Sequence, residues 1–295
     1  MDFAIIGAQK SASTSLQQAL SRRPDTYMPI GETAVFESAF YSREAVERES
    51  ARWQLEAMPT QKIGIKRPDY LCLPEAPANI ARHFPHARFV VVLRNPADRA
   101  LSAYYHYARS GLIEPRDHEE GLRILLDQWS EGSDHTARRF EIISYGLYGA
   151  ALARWLKHFN PDQIHVIEQT ALLNDSTRAL AAVADHLGIL EAPPLELGRR
   201  RMEGSFSLRR LKVQSRLRPL FYREVANERR VARTQVGAWL YEGFDRALLA
   251  RIYPADRPVL SEELRKRLTT FYAQDSAQLA ELGIDFLNRW QPGTA

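Results

Sequence analysis

The sequence predicts an α/β protein of three layers, in which a parallel β-sheet is flanked by helices on both faces. Short apolar runs alternate with stretches of helical periodicity from residue 3 to residue 187, and that alternation is typical of parallel sheets. The run 88–94 carries only Phe, Val and Leu between its terminal arginines, as expected of a strand buried on both faces. With 295 residues, 45% of them hydrophobic, the chain is long enough to form one large domain.

The individual elements follow from local patterns in chain order. We predict strands at 3–7, 62–66, 88–94 and 163–168, and helices at 14–22, 42–57, 74–84, 95–109, 146–159 and 177–187. Pro24 lies just beyond the first helix, Asn95 and Pro96 begin the fourth, and Gly188 ends the last. A closing amphipathic helix is predicted at 260–290, with Leu264, Leu268, Phe271 and Leu279 on its apolar side.

Composition narrows the classes of protein to which the chain can belong. Cys72 is the only cysteine, which excludes an intrachain disulfide and a cysteine-based metal cluster and suits a reducing compartment. No apolar run approaches the roughly 18 residues of a membrane span, and structured sequence is predicted from residue 3. We therefore expect a cytoplasmic protein without a signal peptide or stable membrane insertion.

Positive charge is concentrated in one segment. Residues 199–233 contain 12 Lys and Arg against 3 Glu, whereas the net charge of the whole chain is only +4. A solvated basic helix, a nucleic-acid surface and a membrane surface are all compatible with this segment, and a small polyanionic ligand would use only part of it.

The first strand ends in a loop suited to an anion. After Gly7-Ala8-Gln9 the chain continues Lys10-Ser11-Ala12-Ser13-Thr14-Ser15 and restarts as a helix. Unpaired N–H groups at the start of the helix, the helix dipole and the Lys10 ammonium then converge on one space. Lys10 comes three residues after Gly7 and no second glycine follows, so this is not a Walker loop. An ordinary turn with a solvated lysine remains the alternative.

Two further strand ends also carry polar motifs, at 66–70 and at 94–102. Because ligands gather at the carboxyl ends of parallel strands, the chain offers two separate anion sites at neighbouring strand ends. One is the Lys10 loop. The other pairs Arg94 with Ser102, which lies about two helical turns further on and can face the strand end.

These three motifs, in this order and spacing, resemble the sulfotransferases that use 3′-phosphoadenosine 5′-phosphosulfate (PAPS), and most of all the heparan sulfate sulfotransferase branch. The resemblance covers about residues 3–190 and includes Gly146-Leu147-Tyr148 and Trp155. It implies a fold like that of P-loop nucleotide-binding proteins, PAPS as co-substrate, 3′-phosphoadenosine 5′-phosphate (PAP) as product, and no metal.

The resemblance also implies roles for individual residues. The 5′-phosphosulfate loop would consist of Lys10, Ser11, Ala12, Ser13, Thr14 and Ser15, and the 3′-phosphate would be bound by Arg94 and Ser102. The region after the last strand supplies a lid over the nucleotide in this family, so we interpret 199–212 as that lid, with Arg209 as the candidate contact among its arginines.

A catalytic base is implied near the first helix. In the heparan sulfate branch it is a glutamate in a short Glu-x-x-x-Phe run, and Glu32 with Phe36 matches, although Thr33-Ala34 stands where the family has Pro-His. Glu37 and, after it, His106 are the alternatives. Lys66 matches the branch's second catalytic lysine, and it is followed by Arg67, not by the histidine base of the cytosolic branch.

Sulfuryl transfer to a hydroxyl of a sugar, glycolipid or natural product is therefore the expected activity, with no nucleic-acid partner. Lys10 would neutralise charge on the leaving phosphate, Lys66 would hold the transferring group, and Glu32 would accept the acceptor proton. We expect a single sulfotransferase domain, 1–295, with a nucleotide-binding core at 1–190, a basic lid and acceptor region at 191–259 and the closing helix at 260–295.

Two alternatives use the same features differently. A small-molecule or nucleoside kinase would share the fold and the anion loop, with Asp69 available as a magnesium carboxylate. A protein that binds nucleic acid or a membrane surface through 199–233 would leave the three strand-end motifs unexplained.

Overall fold

The structure is a computed structural model that describes residues 1–132, 135–189, 207–225, 229–253, 258–284 and 290. The chain divides into two compact units. The first comprises residues 1–95, 147–201 and 272–295, and the second comprises residues 96–146 and 202–271. The expectation of a single domain stays a prediction.

The first unit contains a five-stranded sheet in which every pairing is parallel. In chain order its strands are β1 (Phe3–Gly7), β2 (Thr26–Tyr27), β3 (Lys62–Lys66), β4 (Arg88–Leu93) and β5 (Ile164–Glu168), and their order across the sheet is β2-β3-β1-β4-β5. The predicted parallel α/β fold is confirmed. Only β2 was not predicted, because two residues show no periodicity.

Both faces of this sheet are buried. Along β1 and β4, alternate side chains enter one apolar cluster, with Ile6 and Val91 among them, and the intervening side chains enter a second cluster that includes Ile5 and Val90. Alternation follows from the pleat of a strand, and two apolar faces require a helical layer on each side.

The helices of the first unit overlap the predicted helices, except for Gln169–Asn174, which was not predicted. They are Ser13–Leu20, Arg43–Glu56, Ala76–Ala81, Tyr148–Trp155, Gln169–Asn174 and Ser176–Leu187. The helix predicted at 74–84 is shorter because turns replace both of its ends, whereas Gly188, with φ +60°, ends the last helix as predicted.

The second unit consists mainly of helices and contains one antiparallel hairpin. Its helices are Pro96–Ser110, His118–Ser130, Glu141–Ser144, Leu208–Phe221, Gln235–Phe244 and Ala250–Ile252, and the hairpin pairs Tyr222–Val225 with Arg229–Ala232. The helix after Asp117, the hairpin and the helix at 235–244 were not predicted. Arg210 and Asp245 form an ion pair inside this unit at 2.7 Å.

The closing helix runs from Glu262 to Glu281 and contributes residues to both units. It is shorter than the predicted 260–290, since Gly283 adopts φ +75° just beyond its end. Among the residues that the structure describes, no helix combines the length and the hydropathy needed to cross a membrane.

Candidate active site

The chain segments that directly follow β1, β3 and β4 lie at the carboxyl end of the sheet, and they are neighbours because β1 lies between β3 and β4. The amide of Arg67, just after β3, donates to the carbonyl of Ile5 at 3.0 Å, and the amide of Ala8, just after β1, donates to the carbonyl of Val92 at 2.8 Å. Strand order therefore places the chain segments after Gly7, Lys66 and Leu93 side by side.

The loop after β1 adopts an unusual backbone conformation. Lys10 and Ala12 have φ values of 69° and 72°, the left-handed region that non-glycine residues seldom occupy and that is enriched at functional sites. Ala12 is the N-cap of the helix Ser13–Leu20, and an alanine has no side-chain oxygen to cap the first turn. The first turn therefore presents its N–H groups without the usual side-chain acceptor.

Ser11 supplies a buried hydroxyl within this loop. It is fully buried, and its Oγ has no hydrogen-bond partner among the described residues. A buried polar atom without a partner costs free energy, so a further hydrogen-bonding group beside Ser11 would stabilise the loop. The loop therefore fits an anion.

Lys66 connects this loop to the candidate base. Its Nζ donates to the Thr14 hydroxyl at 3.1 Å and lies 3.2 Å from Oε1 of Glu32, and only 4% of its side chain is exposed. The carbonyl of Lys66 also accepts from the amide of Thr33 at 3.1 Å. Both the backbone and the side chain of Lys66 therefore hold the segment that carries Glu32 against β3.

Arg67 lies at the centre of a cluster of three carboxylates. Its guanidinium binds Glu32 at 2.6 Å, Glu37 at 2.6 Å and Asp69 at 2.9 Å, and Gln9 donates to Asp69 at 3.2 Å. Burial by itself lowers the pKa of Arg67, but Asp69, Glu37 and Glu32 together raise it above its usual value. Sequence reasoning used Arg67 only to exclude a histidine and missed these contacts, although the Lys-Arg-Pro-Asp run marked the position.

The two candidate bases differ in access to solvent. The side chain of Glu32 is 37% exposed, whereas that of Glu37 is 11% exposed and binds Arg67. A base must reach the proton of an incoming acceptor, and Glu32 is the more accessible of the two. Among the alternatives, His106 is an exposed residue of the second unit.

Arg94, the candidate ligand of the 3′-phosphate, belongs to the first unit. Its Nη1 lies 3.4 Å from the carbonyl of Lys10, and its own carbonyl accepts from the Tyr148 hydroxyl at 3.0 Å. The structure therefore brings Arg94 beside the anion loop.

Ser102 and Arg209 belong to the second unit. Ser102 is half-buried in the helix Pro96–Ser110, and Arg209 is exposed near the start of the helix Leu208–Phe221. Their roles toward a nucleotide stay predictions. Of the segment interpreted as a lid, 199–206 lies outside the described residues.

No group of three or more His, Cys, Asp or Glu side chains that could hold a metal ion occurs within the described part of the chain. The prediction that no metal takes part rests on the family resemblance alone.

Comparison with known proteins finds similarity to sulfotransferases. A family model described as "Sulfotransferase family" matches residues 33–193, more than half of the chain. The bifunctional heparan sulfate N-deacetylase/N-sulfotransferase 1 of Caenorhabditis briggsae is 28% identical over 198 residues, which cover 65% of this chain and 23% of that protein. The mouse heparan sulfate glucosamine 3-O-sulfotransferase 3A1 is 29% identical over 185 residues, 63% of this chain and 45% of that protein.

A solved structure resembles the whole chain. The crystal structure of a sulfotransferase from Alicyclobacillus acidocaldarius aligns with a TM-score of 0.65 and 22% identity and covers 98% of both chains. The curated relatives are longer proteins: this chain spans about a quarter of the length of the first of them. The match to the family model begins at Thr33. The loop after β1 and Glu32 lie outside that match, so their candidate roles are supported only by the geometry described above.

Proposed function

The chain belongs to the sulfotransferase family, and from that premise we propose that it transfers a sulfuryl group from PAPS to an acceptor by in-line displacement. The observation that carries the proposal is the position of Lys66, whose ammonium contacts both the Thr14 hydroxyl of the anion loop and the Glu32 carboxylate. This position suits a cation that must lie between a bound phosphosulfate and a base.

The loop after β1 supports the binding of the nucleotide's 5′ end. We assign Ser11, Ala12, Ser13, Thr14 and Ser15 to the 5′-phosphosulfate, since an anion satisfies both the unpartnered Ser11 hydroxyl and the helix N-terminus that Ala12 leaves without a side-chain cap. PAPS supplies an already activated sulfuryl group. The protein therefore contributes to catalysis by binding and orienting the two substrates and by stabilising the charge that develops in the transition state.

The reaction requires one bond to form, one to break and one proton to move. The acceptor oxygen bonds to sulfur as the bond between sulfur and the phosphate oxygen breaks, and the acceptor proton goes to Glu32. Lys10 stabilises the charge that appears on the leaving phosphate, and Lys66 holds the sulfuryl oxygens while fixing Glu32. The exposure of Glu32 supports its choice over Glu37.

We assign the binding of the 3′-phosphate to Arg94 and Ser102. We assign Arg209 to the lid over the nucleotide. The position of Arg94 beside Lys10 supports the first assignment, because one nucleotide must reach both anion sites.

The acceptor in this proposal is a hydroxyl-bearing sugar, glycolipid or natural product. The names of the curated relatives, which include N- and 3-O-sulfotransferases, support an alcohol or an amine in general. We place the reaction in the cytoplasm, consistent with a sequence that contains a single cysteine, Cys72.

Calorimetric titration of the purified protein with PAP, adenosine 5′-phosphate and ATP tests the proposal. PAP is expected to bind at least about tenfold more tightly than adenosine 5′-phosphate, the effect of one charge-assisted hydrogen bond. Release of PAP from PAPS, followed against a panel of alcohols and amines, then tests transfer. Tight binding of ATP with no preference for the 3′-phosphate would instead indicate a kinase.

A further inference from the structure

A single short helix holds two of the strand-end segments that form the candidate site. At the start of the helix Tyr148–Trp155, the Tyr148 hydroxyl donates to the backbone carbonyl of Arg94 at 3.0 Å. Near its end, the Trp155 indole donates to the carbonyl of Leu71 at 3.2 Å and Arg154 donates to that of Cys72 at 3.0 Å. The helix therefore fixes the chain after β4 at one end and the chain after β3 at the other.

The position of this helix is itself fixed by one buried carboxylate. Asp275, on the closing helix, accepts from the amide of Gly149 through Oδ2 and from the amide of Ala150 through Oδ1, both at 2.8 Å, and it is 8% exposed. A carboxylate that receives the first N–H groups of a helix satisfies donors that would otherwise be unpaired and complements the helix dipole. Burial raises the pKa of Asp275, while these backbone hydrogen bonds lower it.

Gly149 permits this arrangement. A Cβ built on Gly149 would lie 2.4 Å from the backbone carbonyl oxygen of Asp275 and 2.8 Å from Cβ of Gln278. Any side chain at position 149 would push the two helices apart. The close approach and the two hydrogen bonds therefore define one position for the start of the helix, and with it the position of the Tyr148 hydroxyl.

We propose that Asp275 is a positioning residue for nucleotide binding, which acts through the helix Tyr148–Trp155 and Tyr148 to set Arg94 for the 3′-phosphate. The inference rests on the proposed function, since it requires Arg94 to bind that phosphate. Asp275 contacts the helix through the amides of Gly149 and Ala150, so in this proposal it acts on Arg94 only through the position of the helix.

The test compares the affinities of each variant for PAP and for adenosine 5′-phosphate, whose ratio measures the 3′-phosphate preference. Asp275→Asn loses one of the two acceptors and is expected to lower the ratio about fivefold, with a smaller change in the affinity for adenosine 5′-phosphate. Gly149→Ala displaces the same helix while leaving residue 275 an aspartate, and Tyr148→Phe removes the hydrogen bond to the carbonyl of Arg94. Both are expected to lower the ratio to a similar extent. The double variant that combines Asp275→Asn with Tyr148→Phe is expected to lower the ratio no further than the larger of the two single changes.

Matched controls are Glu281→Gln, an exposed acidic residue of the same closing helix, and Gly243→Ala, a helical glycine with open space around its Cβ position. Both are expected to keep the wild-type ratio. An unchanged ratio in folded Asp275→Asn or Gly149→Ala would overturn the inference by reducing Asp275 to a structural cap. If Asp275→Asn does not fold, Gly149→Ala and Tyr148→Phe decide. If the wild-type protein itself lacks the preference, the proposed function fails first and separately.

Discussion

The ammonium of Lys66 lies 3.2 Å from Oε1 of Glu32 and 3.1 Å from the hydroxyl of Thr14, so one cation joins the proposed base to the loop after β1. Lys66 is held by its place at the end of β3, and Glu32 is held by Lys66 and Arg67 together. Each oxygen of the carboxylate thus has its own cation.

Glu32→Gln tests the base. The amide keeps the volume but cannot take a proton, so turnover is expected to fall by roughly a hundredfold or more while PAP affinity stays almost unchanged. Steady-state turnover and calorimetry measure the two effects. Glu37→Gln is the matched control and is expected to remain active; the opposite pattern would move the base to Glu37, and activity in both variants would make His106 the next candidate.

Lys10→Ala tests the stabilisation of the leaving group. Charge on the bridging oxygen grows in the transition state, so turnover should fall by far more than PAP affinity. The comparison of turnover with the PAP dissociation constant checks this. Turnover within a few-fold of the wild-type value would make Lys10 a solvated lysine.

Arg94→Ala tests the second anion site. Loss of the guanidinium should erase the preference for PAP over adenosine 5′-phosphate, a change of more than about 1.5 kcal/mol. Calorimetry measures both affinities, with Arg88→Ala, an exposed arginine at the start of β4, as the control that retains the preference. A preference that survives in Arg94→Ala contradicts the assignment.

Arg67→Met tests the carboxylate cluster. The substitution leaves Glu32, Glu37 and Asp69 without their shared cation, and removing one partner of a largely buried ion pair typically costs about 3 kcal/mol or more. Urea denaturation should therefore show a lower free energy of unfolding. Arg43→Met, which removes an exposed pair with Glu47, should change it little; equal effects of the two substitutions would show that the cluster adds no stability.

The stability of the protein should decrease as the pH falls below about 6.5. His165 and His186 stack with their ring centroids 5.2 Å apart. Burial lowers the pKa of both from 6.5, and His165 and Arg88 lower that of His186 further. The unfolded chain therefore binds more protons below pH 6.5, so this stability is complete above that pH and is lost as the pH falls toward the folded-state pKa.

Urea midpoints at pH 7.5 and pH 5.5 measure this dependence. The variant that combines His165→Gln with His186→Gln should have a weaker pH dependence than the wild-type protein, whereas His158→Gln, an exposed control, should keep it. An unchanged dependence in the double variant would assign the effect to other groups.

Local sequence patterns were sufficient to predict the main strands of the sheet. The strands at 62–66 and 88–93 carry apolar runs bounded by charged residues, and they occur within one residue of the predicted positions. The helix His118–Ser130 was missed although Asp117 caps it. Local patterns were weakest in the second unit, where tertiary packing buries aromatic side chains such as Tyr104 and Tyr107.

The sequence by itself determined the parallel α/β fold and the three strand-end motifs, because apolar periodicity and loop residues such as Lys10 and Arg94 are local properties. Only the tertiary structure decided that Lys66 joins Thr14 to Glu32, that Arg67 gathers three carboxylates, and that Asp275 fixes the helix behind Arg94. Those contacts depend on β1 lying between β3 and β4 and on a helix from the end of the chain packing beside Gly149. Long-range order of this kind is set by the packing of the whole chain, and no short segment encodes it.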